Sequence, residues 1–113
     1  MKKARILFVD DEPNILDGIK RELRKMKGRW ELFFTNTPEN ALQLIEQHSF
    51  DIVVSNIKMP SMDGLTLLKK IKESLPDLKH IIMFYNDGTV YQSTLNQSIN
   101  IPKLGENLSE VLA

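Results

Sequence analysis

Four short apolar runs, "ARILFV" (4–9), "WELFFT" (30–35), "DIVVS" (51–55) and "HIIMFY" (80–85), are separated by longer stretches whose apolar residues return every three or four positions. Runs of this length and composition read as strands, the first of them buried on both faces, and the stretches between them carry the spacing of amphipathic helices. Strands that alternate with helices require right-handed crossovers, a parallel sheet, and helices on both faces of that sheet.

Local signals place the helices. Pro13 opens the first, in which Ile15, Ile19, Leu23 and Met26 recur at helical spacing before Gly28 supplies a stop. Thr37 and Pro38 stand at the cap and first turn of the second, with Ala41, Leu44, Ile45 and His48 expected to face inward. The third is expected from about Asp63 to Ser74, with Leu65, Leu68, Ile71 and Leu75 as its buried stripe. Beyond Tyr85 the pattern weakens. "NDGTVYQSTLNQS" is polar, "INI" (99–101) suits a brief fifth strand, and "LGENLSEVLA" a last short helix.

A chain of 113 residues with 42% hydrophobic content can bury one core, so residues 1–113 are expected to form a single domain. Fifteen Lys and Arg balance fifteen Asp and Glu, which removes the global basic field behind nonspecific nucleic-acid binding. The basic run "KRELRKMKGR" (20–29) reads first as a solvated helix face and second as a surface for an acidic protein partner. With no cysteine there is no disulfide scaffold, thiolate zinc site or cysteine nucleophile. "ILFV" is too short for a signal-peptide core and no eighteen apolar residues run together, so a soluble, cytoplasmic protein is expected.

In open parallel sheets ligands bind beyond the carboxyl ends of the strands. Here those ends carry Asp10 and Asp11, then Asn56, then Tyr85, and at the candidate fifth strand Ile101. Adjacent carboxylates repel unless a hard cation or a base sits between them, and oxygen ligands suit magnesium. Asp11 is also suited to capping the first helix. Asn56 is the odd member, since an amide can hold a ligand but is a poor nucleophile. Ser55 should face away from it by strand alternation. Asp51 belongs to the opposite end of the sheet, Asp63 to the turn before the third helix, and Trp30 to the packing. His48 and His80 are far from the acids in sequence and read as core or surface residues.

"ILFVDDEPNILDGIKREL" followed by "FDIVVSNIKMPSMDGLTLL" resembles the receiver domain of bacterial two-component response regulators, over residues 4 to about 85. The resemblance implies an α/β, flavodoxin-like (βα)5 fold with a five-stranded parallel sheet, in which a histidine kinase donates phosphoryl to an aspartate beside magnesium. It makes Asp10 and Asp11 the metal-binding acids, adds the backbone carbonyl of Lys58, and puts the acceptor position on Asn56. The hydroxyl switch position falls on Tyr85, and the lysine position on Ile101 before Pro102. A strand at "VYQST" would put Leu95 at the lysine position instead, and Lys103 could substitute only badly. The interval to Ile101 is short for the family, so the region from the fourth helix through the fifth strand and helix is expected to be shortened or irregular.

Loss of acceptor, switch and lysine together implies a degenerate pseudo-receiver. It would not be an enzyme, and it would bind magnesium weakly if at all. Its partners would be proteins: a histidine kinase, another regulator, an output domain or a second copy, with no direct nucleic-acid or membrane contact. Two rivals stand beside this reading. One is a conventional receiver in which Asn56 is an engineered or inactivating change. The other is a magnesium-dependent phosphatase or phosphotransferase using Asp10 as nucleophile and Asp11 as acid or base, which alternation disfavours by turning one acid away.

Overall fold

The computed structural model describes residues 3–26, 28–85, 87, 89–94 and 104–112. Their elements run β1 (Ala4–Val9), α1 (Pro13–Glu22), a 3-10 turn (Arg24–Met26), β2 (Trp30–Thr35), α2 (Pro38–Gln47), β3 (Ile52–Asn56), a short pair β4 (Lys58–Met59) and β5 (Met62–Asp63), α3 (Gly64–Ser74), β6 (His80–Phe84), β7 (Val90–Ser93) and α4 (Leu104–Val111). The main sheet has the order β2-β1-β3-β6-β7, a flavodoxin-like arrangement.

Side chains along the central strands point alternately to two cores. Ile6, Phe8, Ile52, Val54, Ile82 and Phe84 pack with Leu16 and Ile19 of α1 and Leu104 and Leu108 of α4. Leu7, Val9, Val53, Ile81 and Met83 pack on the other face with Ala41 and Ile45 of α2 and Leu67 and Ile71 of α3. Each fully buried aliphatic or aromatic side chain contributes about 1.5–3 kcal/mol, and this double burial explains why the strands are apolar without alternation. Trp30 is buried in the first core, as expected.

The five-stranded sheet is present, with one correction to its wholly parallel form. β1, β2, β3 and β6 are mutually parallel, but β7 runs antiparallel to β6. Only residues 85–89 separate the two strands. A return to parallel pairing needs a crossover of about a dozen residues or more, whereas a short connection closes a hairpin. The fourth-helix region is therefore shortened, and the strand lies at "VYQS". The other candidate, "INI" with Ile101, lies outside the described residues, as do Leu95 and Lys103.

Helix ends correct two further expectations. The N-cap of α1 is Glu12, which makes no side-chain cap bond, so Asp11 does not cap this helix. The helix begins one residue later because Pro13, with its fixed φ, takes the first turn. In α3, Leu65 is 51% exposed and Leu67 is buried in its stead beside Leu68 and Ile71. Two helical positions past Leu65, Leu67 comes round to the sheet. Thr37 does cap α2, its hydroxyl accepting from the Asn40 N–H at 3.1 Å, and Asp63 caps α3, accepting from the Leu65 N–H at 3.1 Å. Among the described residues no helix is long and apolar enough to cross a membrane.

Candidate functional site: an acidic pocket closed by an amide

β1 and β3 are neighbours, and the pairing of Val9 with Ser55 carries Asp10 alongside Asn56 at the carboxyl edge of the sheet. Both side chains are fully buried. Asp10 Oδ1 accepts from the Glu12 N–H at 2.9 Å, and its Oδ2 accepts from Asn56 Nδ2 at 3.3 Å. The Asn56 oxygen accepts from the Lys58 N–H at 2.6 Å. That last bond fixes the amide orientation: a backbone N–H requires the oxygen, so the amino group must face the carboxylate.

Burial pushes the Asp10 carboxyl above the ordinary aspartate range. The Glu12 N–H and the Asn56 amide pull it back, and the charges of Asp11 and Glu12 push it further up. Asp11, just beyond β1, keeps Oδ1 buried without a hydrogen-bond partner. An unpartnered buried carboxylate oxygen on Asp11 beside the destabilised Asp10 is what a hard cation would satisfy. The fit is limited, because Asn56 brings an amino group where a third acid would bring charge. Among the described residues no cluster of three His, Cys, Asp or Glu side chains could hold a metal.

The loop after Asn56 is tightly held. The Ile57 N–H donates to the Phe84 carbonyl at 2.8 Å, Lys58 pairs with Asp63 in the β4–β5 hairpin, and Gly64 opens α3 directly against Ile57. A Cβ on Gly64 would collide with the Ile57 carbonyl oxygen and Cγ1, so only glycine permits this approach.

Tyr85, at the expected switch position, is half-buried, and its N–H donates to the Thr89 carbonyl at 2.8 Å. Its ring meets Tyr91 edge-on at 5.8 Å, and Lys58 Nζ stands over it at 5.9 Å. The Lys58 side chain therefore ties the pocket loop to the β6–β7 hairpin, a link that no spacing in the sequence announces.

The other candidates are held elsewhere. The Ser55 hydroxyl donates to the Asn56 carbonyl on a strand whose alternation turns it from the acids. Asp51 accepts from the Arg5 N–H at 2.9 Å and pairs with Lys79 at 3.9 Å, at the opposite end of the sheet. His48 lies among the rings of Phe33 and Phe50, and His80 Nδ1 shares a hydrogen bond with Thr94.

A flavodoxin-like sheet with a buried acidic pocket at the tips of its central strands defines a signalling receiver. The chain belongs to the response regulator receiver domain family, which matches residues 6–99. It is 28% identical over 90 residues to the transcriptional regulatory protein DegU of Brevibacillus brevis, covering 79% of this chain and 38% of that one. A CheY-like receiver domain protein from Methanospirillum hungatei superposes with a TM-score of 0.75 at 30% identity, covering 98% of this chain and 94% of that one. A complex of the histidine kinase ThkA with the response regulator TrrA gives 0.73 at 30% identity, with 97% and 99% covered. The chain spans less than half the length of the curated relatives it matches.

Proposed function

We propose that this receiver takes no phosphate at Asn56, has no catalytic activity of its own, and signals by binding protein partners. The observation that carries the proposal is the double use of the Asn56 amide, which donates to Asp10 and accepts from Lys58 in one buried network. A carboxylate could fill only the second of these roles, and the neutral amide is not a nucleophile that forms an acyl phosphate.

Magnesium binds weakly in this reading, because two carboxylates and a carbonyl attract a hard dication less than three carboxylates do. The TrrA complex pairs a response regulator with a histidine kinase. A histidine kinase, another regulator or an output domain is the corresponding partner class here, with a second copy of the chain as the remaining one. Arg21 at the end of α1, Arg24 and Lys25 in the 3-10 turn and Arg29 just before β2 are exposed and suit an acidic partner face. The lack of cysteine suits a reducing cytoplasm. A conventional receiver altered only at Asn56 would be expected to keep a small hydroxyl where Tyr85 stands.

Amide spectra recorded before and after addition of acetyl phosphate and magnesium test the proposal. They should differ only by small metal-induced shifts around Asp10 and Asp11. A second set of resonances spreading from Asn56, decaying as the donor is consumed, would overturn it.

A further inference from the structure

A cleft of about 640 Å³ opens between β2, an edge strand of the sheet, and the end of α1. None of Asp10, Asp11 and Asn56 lines it. Leu23, Trp30, Leu32 and Phe34 supply its apolar surface, with Leu32 and Phe34 only half-buried. The Phe34 ring stacks on Phe8 at 4.9 Å and 14°, which holds one of its faces flat against the core. Lys20 Nζ stands 5.1 Å from the same ring.

The polar side of the cleft is unbalanced. Lys20 lies in the last turn of α1 and Arg24 opens the 3-10 turn that follows it, both line the cleft, and among the described residues neither forms an ion pair. Glu31 is the one acid in the lining, and Arg5 holds it at 2.8 Å, keeping its carboxyl below the usual range. Ring and aliphatic surface beside three cations, Lys3, Lys20 and Arg24, none of them ion-paired among the described residues, in a volume within the roughly 300–1,000 Å³ typical of small-molecule sites, is a chemically specific combination. Both cation–π contact and bidentate pairing with one acidic group are open to it.

We propose that this cleft binds a small planar aromatic anion, its ring against Leu32 and Phe34 and its carboxylate or phosphate between Lys20 and Arg24. Such a ligand would load the receiver independently of the acidic pocket, and the proposal stands whether or not Asn56 takes phosphate.

Trp30 is the only tryptophan in the chain, so its indole N–H gives a single resonance that reports on the cleft. Titration of the intact chain with 2-naphthoate should shift that resonance saturably. 2-Naphthol, with the same ring and no charge at pH 7, and acetate, with the charge and no ring, should each bind at least about tenfold more weakly. Lys20→Gln combined with Arg24→Gln, both on exposed positions, should weaken 2-naphthoate several-fold, with Lys3 as the remaining cation of the lining, while leaving the rest of the spectrum in place. The proposal fails if 2-naphthoate gives no saturable shift. Equal binding of naphthol and naphthoate, or unchanged binding in the double variant, would reduce the cleft to nonspecific apolar surface. Saturation by an oligoglutamate peptide with no response to 2-naphthoate would make it a protein-docking face instead.

Discussion

Asn56 and Asp10 meet across the tips of β3 and β1 through a 3.3 Å hydrogen bond in which the amide donates and the carboxylate accepts. Asn56→Asp replaces that donor with a like charge in a site shielded from water. At neutral pH without metal the variant should lose about 1–3 kcal/mol of stability. Millimolar magnesium should return much of this by binding the folded state, and should raise the melting temperature of the natural chain far less. Thermal melts of both proteins in chelator and in magnesium check it; equal stability in chelator would mean that the bond contributes nothing.

The raised Asp10 carboxyl sets a sign for the pH dependence. An acid whose folded pKa lies above its unfolded value of about 3.9 binds more protons folded than unfolded. Its contribution to stability is therefore full at low pH and is lost as pH rises from that unfolded value through the raised folded one. Glu31 and Asp87 are shifted the opposite way, the first by Arg5 and the second by the Thr89 N–H, and must be removed by difference. The stability of this chain minus that of Asp10→Asn should fall as pH rises above about 4, whatever the variant's absolute level. A flat difference would show that Asp10 ionises as freely in the fold as in the unfolded chain.

Gly64→Ala should destabilise by about 1–3 kcal/mol, because the added methyl meets the Ile57 carbonyl and side chain in a loop fixed on both sides. Gly28, whose Cβ position is open, serves as the control: Gly28→Ala should change stability little. Urea denaturation separates the two, and equal effects would refute the close approach.

Restoring the acceptor should not restore a switch. Tyr85 contacts Tyr91 and Lys58, and it follows directly on β6, which is closed into an antiparallel hairpin with β7. Asn56→Asp treated with a phosphodonor should keep the amide resonances of β6 and β7 where they were. Large shifts spreading through Ile81–Phe84 and Val90–Ser93 would contradict this.

The apolar runs located β1, β2, β3 and β6 to within a residue or so: β1, β3 and β6 are buried on both faces and leave no polar interruption to misread, and in the edge strand β2 only Glu31 breaks the run. Thr37 with Pro38, and Asp63, placed two helix starts through the same local chemistry that caps them. Asp10 and Asn56 were legible as strand tips, and parallel pairing alone brings them together. The direction of β7 was not, since "VYQS" has no periodicity and its pairing depends on the length of the preceding connection. Leu65 misled because it and the adjacent pair Leu67 and Leu68 offer competing stripes, and the orphaned oxygen of Asp11 and the reach of Lys58 to Tyr85 exist only in three dimensions. The cleft beside Phe34 was equally hidden: its residues come from β2, the end of α1, the 3-10 turn after it and Lys3, and each alone reads as core or as solvated charge.

Intact mass spectrometry after incubation with acetyl phosphate and magnesium, with Asn56→Asp run in parallel, bears most directly on the claim that the pocket is closed to phosphate. The natural chain should keep its unmodified mass throughout, while the variant shows that the donor and conditions are competent by gaining one phosphoryl group. A stoichiometric phosphoryl adduct on the natural chain would contradict the claim.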